Sequence, residues 1–374
     1  MTTAIGFSFI LGQASPVGLL KRFVCRGAFP HALLFTGNAG VGKKTAATAF
    51  AMACNCLALS NRKDRTDAVF PGPDHSEPAM LNSDASTSDA LDPSMADACG
   101  ECKSCRKIAE GLHPDIISIA PHASVIRIDQ IRTLLRTLSL RPHEARQRVV
   151  ILSDAQALNP EAANALLKIL EEPPPRTLMI LTAVEAADLL PTVVSRCQQV
   201  RFMPLNESVI ETLLTTRDGI DPETARKVAP LCGGSYTRAK TLLDLGWQSR
   251  RNWVIRVMDR LTGDRDTDLR AWLLFSEKLA ARKEWIEDTL DTLLMWLRDL
   301  VVADIDPSQV LGRDPLSHCR DSAPKKHLKH RLRQMEAVLE AKAALLANAN
   351  ARLTLDAMLL KMIGKLNSTQ NVSP

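Results

Sequence analysis

Between His31 and Cys56 the chain reads HALLFTGNAGVGKKTAATAFAMACNC: an apolar run enters a glycine-rich loop and leaves it through an alanine-rich, helix-forming segment. Such a stretch leaves little freedom. A strand, a tight loop and a helix must follow one another, with loop N–H groups converging at the helix N-terminus, the setting of a nucleoside-triphosphate site. Gly37, Gly40 and Gly42 let the backbone turn, and Lys43 supplies a point charge for phosphate oxygens. The loop formula then asks for Ser or Thr directly after the lysine, where the hydroxyl ligates Mg2+. Lys44 stands there instead, with Thr45 one step late and on a different helix face. A cation in place of a metal ligand predicts weak Mg2+ handling and poor or absent hydrolysis.

Further apolar runs at Asp115–Ala120, Arg148–Asp154, Thr177–Ala183 and Gln198–Phe202 join His31–Gly37, with amphipathic helical stretches between them. Continuous apolar runs of this length predict α/β architecture with a parallel sheet covered on both faces. NPEAANALLKILEEPPP reads as a punctuated helix: Asn159 caps it, Pro160 fits its first turn, and Pro173 to Pro175 end it. Residues 60–97 are rich in Ser, Asp and Pro, lack either period and are expected to form a mobile surface insertion. After Pro204 the strands stop. Residues 205–246 suggest a small helical unit, and from Trp247 the pattern is helical, with a break at DIDPSQVLGRDPLSHCRDSAP.

At 374 residues the chain has material for two or three domains, and only 4% aromatic residues, with abundant Ala and Leu, favour helices over sandwiches or barrels. A formal charge of +5 permits nucleic-acid contact without requiring it. No basic-then-apolar signal pattern or membrane-length apolar stretch is visible, so a cytoplasmic location without membrane contact is expected. Nine cysteines in a reducing compartment are not expected to form disulfides, so a clustered subset asks for a metal.

That subset is Cys99, Cys102 and Cys105, spaced C-x2-C-x2-C, with a fourth sulfur upstream at Cys56 or Cys54. A closed set of four thiolates suits tetrahedral, structural Zn2+, with an iron–sulfur cluster as the alternative occupant. Cys56 is preferred because it lies nearer the helix end, whereas Cys54 can face the helix packing. In RVVILSDAQAL, Asp154 sits where the acid at a strand end holds Mg2+, or it caps the following segment. Ala155 follows it, where the second acid of the pair would orient the attacking water, and alanine polarises nothing. Thr182 either contacts a γ-phosphate or ends its strand. Arg196 in TVVSRCQQVRF and Arg238 in GGSYTRAK read, by residue alone, as surface residues. His113 in HPD reads as a turn and capping residue. The run KKHLKHRLR, from Lys325 to Arg333, reads as a solvated helix face.

Taken together, these motifs resemble the clamp-loader family of bacterial DNA polymerase III. The resemblance rests on ILGQ, HALLFTGNAGVGKKT, the four cysteines, HPD, IRIDQIRTLL, ANALLKILEEPP, SRC and NANARLTLDAMLL, and covers the chain apart from residues 60–97. Lys44 and Ala155 make it similar to the delta-prime branch rather than the gamma and tau motors, which keep both catalytic groups. The resemblance implies an AAA+ domain over residues 1–203, a lid over 204–246 and an all-α collar over 247–374. It further implies a hetero-pentamer with gamma/tau and delta subunits that loads a sliding clamp onto primed DNA near the nucleoid. Arg196 would reach the neighbour's ATP in trans, and the chain's own loop would bind ATP or ADP without hydrolysis. The alternatives are a gamma/tau-type motor, needing Thr45 and Glu171 or Glu172 as substitutes, and a small-molecule P-loop kinase, which leaves the cysteines and the helical C-terminus unexplained.

Overall fold

The computed structural model describes residues 6–59, 96–122, 124–244, 252–254, 256–257, 269–306, 328–347 and 349–362. The chain divides into two compact units, residues 1–213 with 233–237, and residues 214–232 with 238–374.

The first unit is built on β1 (Ala32–Thr36), β2 (Ile116–Ile119), β3 (Arg148–Leu152), β4 (Thr177–Ala183) and β5 (Gln198–Arg201). The strands pair in parallel in the order β2-β3-β4-β1-β5. All of the expected runs are present, each within two residues at either end. The helices are α1 (Ala14–Arg26), α2 (Lys43–Asn55), α3 (Lys103–Ala109), α4 (Ile128–Leu138), α5 (Pro160–Glu171) and α6 (Pro191–Val194).

β1, β3 and β4 are buried along their whole length because each serves two cores. Leu33, Phe35, Val149, Ile151, Leu178 and Ile180 pack in one cluster with Leu20 and Val24 of α1 and Phe50 of α2. Their neighbours Ala32, Leu34, Val150, Leu152, Met179 and Leu181 pack in the other with Ile131 and Leu134 of α4 and Leu166 and Ile169 of α5. Successive side chains leave a strand on opposite faces, so a sheet covered twice needs apolar residues at every position. α5 has the expected punctuation: the Asn159 side chain accepts from the Ala162 N–H at 2.9 Å, Pro160 opens the helix, and Glu172 closes it ahead of the prolines.

The expectation for residues 60–97 lies outside the described residues except at its end, where the boundary is corrected. Ala96 is buried, and the Asp97 carboxylate accepts from the N–H groups of Phe7 at 2.8 Å, Ser8 at 2.9 Å and Ala98 at 2.8 Å. Three backbone donors on one carboxylate make Ala96 and Asp97 part of the packed fold.

HPD holds the sheet edge. His113 Nδ1 accepts from the Asp115 N–H at 3.2 Å, the capping role expected of it. Asp115, 1% exposed, accepts from the N–H groups of His143, Glu144 and Ala145 at 2.9, 2.8 and 2.8 Å. Arg148 Nη2 lies 3.7 Å from it, while Nη1 donates to the carbonyl of Leu140 at 2.8 Å and to those of Thr137 and Leu138 at the end of α4. Burial raises the Asp115 pKa, but the three N–H groups and the Arg148 charge outweigh it and hold the carboxyl below its ordinary 3.8. A group depressed in the folded state adds stability above its unfolded pKa and loses it as pH falls through the folded value. Asp115→Ala is therefore expected to destabilise the protein by about 2–4 kcal/mol at neutral pH, because it leaves three donors and a buried guanidinium unmatched. The deficit should shrink as pH falls from about 4, where the unfolded carboxyl takes up its proton, through the depressed value of the folded state; urea titrations at pH 7 and pH 3 check this.

The second unit is helical among the described residues. α7 (Glu207–Asp218) and α9 (Tyr236–Asp244) run across the division in sequence, and α8 (Pro222–Val228), α10 (Leu269–Ala280), α11 (Lys283–Ile305), α12 (Leu328–Leu346) and α13 (Ala351–Met362) lie within this unit. Its core gathers Trp272, Phe275, Leu290, Leu293, Val338, Leu355 and Leu359. The buried Ser276 hydroxyl ties α10 to Asp356 of α13. Arg331, within the basic run, is buried and donates to the Leu300 carbonyl rather than facing solvent, and residues 325–327 of that run lie outside the described residues.

Candidate functional site

The phosphate loop leaves β1 at its carboxyl end, beside β4, where open parallel sheets present ligand crevices. Gly37 has φ +141° and lies so close to the chain after β5 that a Cβ would run into the Phe202 carbonyl. Gly40, at φ +76°, is packed against Ser235 and Thr237, and its carbonyl accepts from the Tyr236 N–H at 3.1 Å. Gly42, also at positive φ, caps α2. Lys43 is buried at the first turn of α2, and its ammonium donates to the carbonyls of Gly37 and Asn38, the latter at 2.8 Å. Burial lowers the lysine pKa, and the charge of Asp154 pulls it back up. Lys44 and Thr45 are both exposed.

Asp154 follows β3 in the left-handed region, φ 53° and ψ 55°, a conformation Asp adopts more readily than most residues. Its N–H donates to Thr182 Oγ1 at 3.1 Å, so the hydroxyl at the end of β4 braces the loop after β3. The Asp154 side chain makes no capping hydrogen bond to the turn that follows and stays exposed, facing the charge on Lys43. Ala155 is fully buried among the apolar side chains of the α4–α5 face.

Two contacts, one in each unit, are not legible from residue patterns alone. Gln13, 1% exposed, donates from Nε2 to the carbonyls of Met203 at 2.6 Å and Val41 at 3.3 Å, and its Oε1 accepts from the Met203 N–H at 3.2 Å. One side chain therefore joins the chain start, the phosphate loop and the exit from β5; ILGQ was its only signal. Arg238 of α9 is paired with Asp291 of α11 at 2.8 Å, and Lys342 of α12 reaches the other carboxylate oxygen. The Arg238 charge is thus engaged within the helical unit.

Arg196, between α6 and β5, lies at the surface of the first unit with its side chain 35% exposed. Nη2 is 2.8 Å from Glu171 Oε1 at the end of α5, and Nη1 donates to the Thr192 carbonyl at 2.9 Å.

Cys56, Cys99, Cys102 and Cys105 come together, with all of their sulfurs within 4.8 Å of one another. A Zn2+ with bonds of ~2.3 Å to four sulfurs spaces them by about 3.8 Å, so a small contraction closes the set. Cys56 ends α2 in extended conformation, which turns it out of the helix, and Cys102 caps α3. Backbone N–H groups already point at the sulfurs: Cys99 to Cys56 at 3.4 Å, Cys102 to Cys99 at 3.3 Å and Cys105 to Cys102 at 3.4 Å. A hydrogen bond from Cys105 is the largest cause lowering the Cys56 thiol to about 4, and the same bond raises Cys105. Cys54 stays outside the group, packed against the apolar cluster of the α1–α2 face. The donor set and its N–H partners fit a metal held by thiolates.

Residues 69–206 match a family model described as DNA polymerase III, delta subunit. The DNA polymerase III subunit delta' of Pseudomonas aeruginosa is 37% identical over 172 residues, which is 45% of this chain and 52% of that one. The delta' subunit of Bacillus subtilis is 26% identical over 355 residues, 94% of this chain and 96% of that one. The Bacillus subtilis tau subunit is 30% identical over 204 residues, 54% of this chain and 30% of that one. This chain thus spans about half the length of the Pseudomonas relative and nearly all of the Bacillus delta' subunit. The glycine loop, the acid after β3 and the parallel sheet define an α/β domain of the P-loop class. Among the described residues, no helix is long and apolar enough to cross a membrane. In sequence the chain is thus similar to delta' subunits of DNA polymerase III and, over a shorter stretch, to a tau subunit.

Proposed function

We propose that this chain acts as the non-hydrolysing stator of a clamp loader. It joins gamma/tau-type motors and a delta subunit in a hetero-pentamer, lends Arg196 to a neighbouring ATP site, and helps place a sliding clamp on primer-template DNA. One observation carries the reading: the phosphate loop keeps its glycines and Lys43 beside Asp154, while buried Ala155 occupies the place of the acid that would activate water. ATP or ADP can occupy such a loop without being cut. The cysteine group holds a structural Zn2+, with Cys56 as its fourth ligand. Residues 204–246 serve as the lid and 247–374 as the collar, in a cytoplasmic assembly near the nucleoid. A motor role finds little support. Thr45 is exposed on α2, and Glu171 is paired with Arg196 at the far end of α5.

The purified chain is expected to hydrolyse no ATP above background. Adding it to candidate motor and delta subunits should create clamp- and DNA-stimulated ATPase that the mixture lacks without it. Robust turnover by the chain alone, or full stimulation in its absence, rejects the stator role.

A further inference from the structure

The Arg196 guanidinium is held at several points. Nη2 pairs with Glu171 at 2.8 Å, and Nη1 donates to the Thr192 carbonyl at 2.9 Å and to Ser195 Oγ at 3.4 Å. His31 Nε2 lies 3.1 Å from the Arg196 carbonyl and fixes the backbone beneath it. Glu171 is the last residue of α5, and the prolines after Glu172 stop the helix there. The carboxylate is thereby fixed at a helix end rather than carried on a loop.

We infer that Glu171 is a positioning residue for Arg196, holding the plane of the guanidinium in the orientation from which it meets a phosphate on a neighbouring subunit. The inference rests on the role proposed above for Arg196 in trans. An arginine on a surface turn samples many rotamers, and that freedom must be lost before its planar fork can bind. Here that freedom is reduced in advance by acceptors on both terminal nitrogens, a carboxylate at Nη2 and a carbonyl at Nη1. Guanidinium has five N–H donors, and these contacts leave Nε–H and one Nη2 hydrogen for phosphate oxygens. The pair is half open to water, with Glu171 50% exposed, so its attraction is weak and does not compete with a triphosphate. Orientation is what it supplies.

The test uses the assembled complex. Glu171→Ala should lower the kcat of stimulated ATP hydrolysis by about fivefold through misorientation, with KM for ATP and co-elution of the subunits unchanged. Glu171→Gln keeps an acceptor oxygen and should recover part of the rate. In an Arg196→Ala background, Glu171→Ala should have no further effect. Unchanged kcat in Glu171→Ala, or an equal loss in the Arg196→Ala background, overturns the positioning role while leaving that of Arg196 standing. If Arg196→Ala itself leaves turnover unchanged, the trans role falls first and the positioning role with it.

Discussion

Arg196→Ala is expected to leave the reconstituted complex assembled and to slow ATP hydrolysis at the site it adjoins by about 10³–10⁵, the range for arginine residues that stabilise phosphoryl-transfer charge in trans. Folding is a weak confounder. The side chain is 35% exposed and its partner Glu171 50%, and an exposed pair of this kind contributes about 0–1 kcal/mol to stability. Arg196→Lys should rescue little, since a lysine point charge cannot replace a planar fork. Phosphate release measured on complexes purified by gel filtration separates the outcomes. Unchanged turnover, or loss only because the subunits no longer co-elute, removes the role.

The second large effect concerns the cysteines. Elemental analysis of freshly purified protein is expected to give about one zinc per chain, and Cys102→Ser should lose it. Metal-folded peptides draw about 10–16 kcal/mol from zinc at neutral pH, but α2 is already packed on the sheet, so only part of that is at stake. A loss of about 3 kcal/mol in a unit of this size corresponds to a melting point lower by roughly 6–12 °C. Chelation should produce the same shift in the wild type and none in Cys102→Ser. Acid should release the metal, since the ligands bind as thiolates. Protein free of zinc, or a chelator without effect, leaves the thiols as mere neighbours.

The parts of this molecule visible beforehand were those set by local pattern. The unbroken apolar strands follow from a sheet buried on both faces, and Asn159, Pro160 and the proline run mark a helix by chemistry that acts over a few residues. The choice of Cys56 over Cys54 followed from helix geometry, and Cys56 is the one that joins the group. Polar contacts between distant segments were not visible. Asp115 and Arg148 bury opposite charges across the sheet edge, and Gln13 meets residue 203 across 190 positions of sequence. Arg238 looked solvated because its acceptor, Asp291, lies on another helix. Glu171 shows the same limit: in sequence it is one of two acids before prolines, and only the fold brings Arg196 to it.

The bracing of the phosphate loop has a historical consequence. Gln13 grips Val41, Tyr236 grips Gly40, and Lys43 clasps carbonyls of its own turn. A cradle kept in shape by its own polypeptide does not depend on cargo, so a lineage that shed its cutting chemistry would still keep the loop standing, as a fixed post against which moving parts could lever.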